Sequence, residues 1–151
     1  MRSPDAPTLC APPGRRFRLL LVEDELSTVF AMHEFFTHAG YDVDCASDLS
    51  AAVTLIDHRP YDAVITDLHL TTRRHGEGLK VAWHARCSHP HACIVMLTGY
   101  ASDSTEEEAT RCGVDMYQTK PIDLADLTAF LDVALHGRRR PGEPDFTRQQ
   151  H

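Results

Sequence analysis

The sequence predicts an α/β fold: a five-stranded parallel sheet with helices on both faces. Three observations predict it. Five short apolar runs punctuate the chain, and five segments of helical periodicity alternate with them. Three of the runs are almost unbroken in apolar character, as strands covered on both sides must be.

The elements follow in order. The first strand is FRLLLV (17–22), and the first helix spans Leu26–Ala39, with Gly40 placed for the left-handed residue that ends a helix. YDVDCA (41–46) is more polar and suits an edge strand. Asp48 is a candidate N-cap for the helix Leu49–Arg59, which Pro60 stops. DAVITD (62–67) is a third strand ending on a carboxylate, followed by a helix near Glu77–Cys87. ACIVMLT (92–98) is the fourth strand. Asp103 and the acids 106–108 place negative charge in the first turns of the helix Asp103–Cys112, which Gly113 closes. VDMYQT (114–119) is the last strand, and Asp123 is a candidate N-cap for Leu124–His136.

Length and composition fit one globular domain: 151 residues with 42% hydrophobic content can bury a core without staples. The five cysteines are an odd count at irregular spacing, which argues against a disulfide framework. No apolar run approaches the roughly 20 residues of a membrane span, and no signal-peptide layout is present, so a cytoplasmic location is expected. Residues 1–16, with four prolines, read as a disordered leader, and residues 137–151 as a flexible polar tail. Residues 17–136 carry 8 Lys+Arg against 19 Asp+Glu, a net of −11. So acidic a body repels nucleic acid, and the Arg138–Arg140 run reads as part of a solvated tail.

Ligands of an open parallel sheet bind beyond the carboxyl ends of its strands. Glu23, Asp24 and Glu25 follow strand one, Asp67 ends strand three, Thr98 ends strand four, and Lys120-Pro121 follows strand five. Lys120 is one of only two lysines in the chain. Each residue alone is ordinary: an acid can cap a helix, a threonine can sit in a turn, a lysine can be a surface charge. Together at one rim they form a set for a divalent cation and a phosphoryl group, since carboxylates hold hard cations while lysine and hydroxyl bind phosphoryl oxygens.

LLLVEDE, VITDLHL, VMLTGY and YQTKPI, in that order, resemble the receiver domain of bacterial two-component response regulators across 17–136. The resemblance implies a flavodoxin-like sheet of order 2-1-3-4-5 and a stand-alone phosphoacceptor. By residue, it implies Asp67 as the phosphoacceptor. Glu23 and Asp24 would hold Mg²⁺ with the Asp67 carboxylate and the backbone carbonyl of His69. Thr98 and Lys120 would bind the phosphoryl group, and Tyr117 would be the switch aromatic. The Lys120-Pro121 peptide would be cis, as X-Pro bonds most readily are. The implied partners are a sensor histidine kinase or histidine phosphotransfer protein, and an unidentified protein target reading the fourth helix, fifth strand and fifth helix.

Two other readings stay open at this point. A haloacid-dehalogenase-type phosphatase also uses a strand-end aspartate and Mg²⁺, but it wants an acid where this chain has His69, and its other acids follow the nucleophile. A degenerate receiver would bind partners without phosphorylation, against which the full acid, hydroxyl and lysine set argues. The sequence also departs from the family. The Thr71–Gly78 loop is longer than usual and lacks a proline, an insertion of low entropic cost. Cys87, His89, His91 and Cys93 are soft-ligand types, but without paired C-x₂-C spacing they read against a zinc site.

Overall fold

A computed structural model describes residues 16–70 and 76–136; the proposed leader and tail, and residues 71–75 of the long loop, lie outside the described residues. The elements run β1 (Arg18–Val22), α1 (Leu26–His38), β2 (Asp42–Ala46), α2 (Leu49–His58), β3 (Ala63–Asp67), α3 (Glu77–Ser88), β4 (Cys93–Thr98), α4 (Asp103–Arg111), β5 (Met116–Thr119) and α5 (Leu124–His136). All strand pairings are parallel, in the order β2-β1-β3-β4-β5. The sequence-based elements are all present, with ends that coincide or differ by at most two residues.

The alternation of side chains along a strand divides the core in two. Leu20, Val22, Val64, Ile94 and Met96 face α2, α3 and α4, where Ala52, Ile56, Val81, Ala85 and Ala109 meet them. Leu19, Leu21, Ile65, Val95 and Leu97 face α1 and α5, packing on Met32, Phe36, Leu127 and Leu131. β1, β3 and β4 are therefore buried on both faces, whereas β2 and β5 are the partly exposed edges.

Local signals behave as their chemistry dictates. Gly40 and Gly113 have φ of 102° and 93°. After each, the next N–H reaches back into the helix, Tyr41 to Phe36 O and Val114 to Ala109 O, the paired closure that satisfies last-turn carbonyls. That closure explains why β5 begins two residues later than the sequence reading placed it: Val114 still belongs to the end of α4. Asp48 caps α2 by accepting from the Ala51 N–H at 2.8 Å. At α4 the cap is Ser102, which accepts from Thr105 N–H, and Asp103 only adds charge to the first turn.

The candidate site at the carboxyl rim

β3 delivers Asp67 as its last residue, in register with Leu97 of β4. Its carboxylate is nearly buried, and Glu23, just past β1, is only 3% exposed. Lys120, just past β5, bridges them: Nζ donates to Asp67 Oδ2 at 2.9 Å and to Glu23 Oε1 at 3.1 Å. The other Glu23 oxygen accepts from Glu25 N–H at 3.1 Å, which fixes the carboxylate. Asp24 is exposed, and one carboxylate oxygen from each of Glu23, Asp24 and Asp67 lies within 4.8 Å of the others.

Two of the three carboxylates, Glu23 and Asp67, thus share one ammonium. Burial, followed by the Asp67 charge, pushes Glu23 above the usual glutamate range, against the pull of Glu25 N–H and Lys120. Burial works against the Lys120 ammonium too, but hydrogen bonds and charge from Asp67, then Glu23, outweigh it and hold Lys120 above the ordinary lysine value. Such a cluster is short of positive charge. Its all-oxygen donor set and its excess of carboxylates fit a hard divalent cation, which would relieve the repulsion that raises Glu23.

The backbone holds Asp67 in place from behind. Leu68 N–H donates to Leu97 O, and Gly78 N–H donates to Leu68 O. A Cβ built on Gly78 would stand 2.1 Å from the Asp67 carbonyl oxygen, so only glycine lets α3 start this close to the site. Sequence reasoning passed over Gly78; the pair of glycines at 76 and 78 was its visible signal.

The remaining expected residues are placed as follows. Thr98 is fully buried at the end of β4, and its hydroxyl accepts from Tyr100 N–H and donates to Tyr100 O, both at 3.2 Å, rather than meeting Asp67. Tyr117 packs against the core beneath α4, and its buried hydroxyl finds no partner among the described residues. The Lys120-Pro121 peptide is cis. His69 is exposed, its Nδ1 accepting from Gly76 N–H at 3.2 Å. The Cys/His set is not gathered: Cys93 is buried against α1 and α5, while Cys87 is exposed at the end of α3.

Among the described residues, no helix is long and apolar enough to cross a membrane. A family model described as "Response regulator receiver domain" matches residues 19–132. The photosynthetic apparatus regulatory protein RegA of Rhodobacter capsulatus is 32% identical over 113 residues, covering 75% of this chain and 60% of its own. The regulatory protein AtoC of Escherichia coli is also 32% identical, over 124 residues, covering 78% of this chain and 25% of its own. The chain therefore spans about a quarter to three fifths of these two relatives.

Among solved structures, a response regulator from Burkholderia pseudomallei, determined with a phosphorylated aspartic acid, calcium ion and citrate, is 28% identical. Its TM-score is 0.70, with coverage of 76% of this chain and 66% of that one. A receiver domain protein from Methanospirillum hungatei superposes with TM-score 0.72 over 82% of this chain and all of its own; at 23% identity it speaks to fold alone. The sheet order, the acid cluster with its lysine, and the family match agree: the chain belongs to the response regulator receiver domain family.

Proposed function

We propose that Asp67 accepts a phosphoryl group from a phosphohistidine on a sensor histidine kinase or a histidine phosphotransfer protein. The observation that carries this reading is the Asp67 carboxylate at a strand end, paired with Lys120 at 2.9 Å and clustered with Glu23 and Asp24. Glu23, Asp24, the Asp67 carboxylate and the His69 backbone carbonyl would hold Mg²⁺. When bound, that ion neutralises charge on the phosphoryl oxygens and orients them for in-line displacement.

The chain's own residues do the rest. An Asp67 oxygen forms the new O–P bond as the N–P bond to the donor imidazole breaks, and the imidazole leaves with the electron pair. Lys120 stays beside Asp67 and balances the added negative charge. Thr98 releases Tyr100 and turns its hydroxyl to a phosphoryl oxygen. Tyr117 follows into the space this opens, and the surface of α4, β5 and α5 changes for a protein target.

The chain would act in the cytoplasm as a signalling phosphoacceptor rather than a turnover enzyme, without contacting nucleic acid itself. The haloacid-dehalogenase alternative finds no support, because His69 is a hydrogen-bond acceptor for Gly76 in the place where that chemistry needs an acid. The complete, mutually paired acid and lysine set gives a degenerate receiver no support either. Radiolabelled acetyl phosphate with Mg²⁺ should label the wild type but neither Asp67→Ala nor a chelator-treated sample. Equal labelling of Asp67→Ala would end this reading.

A further inference from the structure

On the face away from α1 and α5, a groove of about 850 Å³ runs between α3 and α4, with the start of α2 along its side. Its wall carries a stripe from α3, Leu79, Lys80, Trp83 and His84, at the spacing of one helix face. Opposite stands a stripe from α4 that includes Glu108 and Arg111. Leu68 and His69, the two residues after Asp67, close its upper end.

Two features single this groove out. Trp83, the only tryptophan in the chain, is 55% exposed here, a large apolar surface left in water. Charge is the second. From β1 to α5 the described cations are Arg18, Arg59, Lys80, Arg86, Arg111 and Lys120. Arg18, Arg59, Arg86 and Lys120 each pair with an acid. Lys80 and Arg111 are exposed, make no salt bridge to a described residue, and both line this groove. Glu108 is the one acid among its described lining residues, and the two histidines add no negative charge. In a body of net charge −11 over residues 17–136, an apolar groove edged by two cations that have no acidic partner among the described residues is a local reversal.

We infer that this groove docks an acidic, apolar-anchored segment of a partner protein, its apolar side chains set against Trp83 and Leu79 and its carboxylates against Lys80 and Arg111. An amphipathic helix meets those demands, with anchors at every third or fourth position and acids between. Buried apolar contact with Trp83 supplies affinity, while the cation pair selects acidic segments over basic ones. The groove shares α4 with the surface of α4, β5 and α5 but adds α3 and the start of α2 in place of β5 and α5. It needs no phosphoryl group, so its test is independent of the chemistry at Asp67.

Because Trp83 is the sole tryptophan, its emission reports the groove directly. The full, unphosphorylated chain is titrated with a tryptophan-free amphipathic peptide of leucine anchors separated by glutamates, and with its analogue carrying lysines instead. The glutamate peptide should shift Trp83 emission saturably, with a dissociation constant on the order of 10 µM, and the lysine peptide should not. Reversing both charges, Lys80→Glu with Arg111→Glu, should weaken the glutamate peptide at least about tenfold and admit the lysine peptide. Amide shift mapping should centre on α3 and α4, and circular dichroism would establish that the variant is folded. The inference is overturned if both peptides bind alike, if charge reversal leaves affinity unchanged, or if the shifts centre on another surface. It is overturned equally if no saturable change develops, the outcome expected where the chain's own residues fill the groove.

Discussion

At each end of the sheet a cation sits among several acceptors, and the two ends use it oppositely. At the amino end, Arg86 of α3 donates to Pro90 O, Ala92 O, Gly113 O by two nitrogens, and Asp115 Oδ2. That Asp115 oxygen also accepts from Ile94 N–H at 2.9 Å. Every charge there is answered, and the arginine ties the end of α3 to the turns before β4 and β5. At the carboxyl end, one ammonium, that of Lys120, bonds Glu23 and Asp67 within a cluster of three acids, which leaves an excess of negative charge. Satisfied charge secures the fold, and unsatisfied charge waits for a ligand. The contrast supports the carboxyl end as the place of the proposed chemistry without reference to any relative.

The largest expected effect on stability belongs to the amino end. Arg86→Ala strands the part-buried carbonyls of Ala92 and Gly113 and the Asp115 carboxylate, and should cost about 3 kcal/mol, the low end for a buried pair because both partners are partly exposed. Arg86→Lys should recover only part of this, since a lysine cannot reproduce the planar fork. Phosphoryl uptake per folded molecule should stay unchanged. Urea denaturation beside a labelling assay separates the two quantities, and a loss of labelling in folded Arg86→Ala would blur the division between the ends.

Gly78→Ala comes next and should act at the carboxyl end through the backbone. Its Cβ meets the Asp67 carbonyl, so about 2 kcal/mol and part of the labelling should be lost together. Gly99→Ala, with open space around it, should change stability by less than about 0.5 kcal/mol. Similar melting temperatures for the two variants would contradict the claim that α3 is packed against the site.

A smaller effect follows from the unanswered charge. Mg²⁺ at ten times its dissociation constant should stabilise the wild type by about 1.4 kcal/mol. It should stabilise Asp67→Asn far less, and Arg86→Ala as much as the wild type. Thermal unfolding with and without chelator measures this. Equal stabilisation of Asp67→Asn would place the cation elsewhere.

The smallest expected effect is a pH dependence. In chelator, Glu23 has a folded pKa above its unfolded value of 4.5, so the folded state holds that proton more tightly. Stability relative to Glu23→Gln should therefore be greatest at or below 4.5 and fall as pH rises through the elevated folded value. Lys120 has the same sign but acts only in alkali: its stabilisation is fully present below its unfolded value of 10.5 and is lost as pH rises through the higher folded value. A difference between wild type and Glu23→Gln that stays flat, or grows with pH, would remove the account of strain at the acid pair.

Much of this was legible in the sequence because it depends on local chemistry. Apolar runs set the interior strands, Asp48 and the two positive-φ glycines set helix ends, and strand-end positions brought Glu23, Asp24, Asp67, Thr98 and Lys120 to one rim. What stayed hidden depends on contacts between distant elements. Nothing near Arg86 announces Asp115, 29 residues on and across two turns. Asp103 was read as first-turn charge on α4, as found, but the cap itself, Ser102, went unnamed because its bond to Thr105 N–H depends on where the backbone begins the turn. Thr98 was read correctly as a rim residue, but its hydroxyl is held by Tyr100, a local bond that no strand-end pattern encodes.

The most direct test of the carboxyl rim as the chemical end is to locate the phosphoryl group. After reaction with acetyl phosphate and Mg²⁺, borohydride reduces an aspartyl phosphate to homoserine, which peptide mass mapping assigns to a position. The account expects the reduced residue at Asp67 alone, in the wild type and in Arg86→Ala, and none after chelation. A modification mapped to Asp24, Asp115 or any other acid while Asp67 remains intact would contradict it.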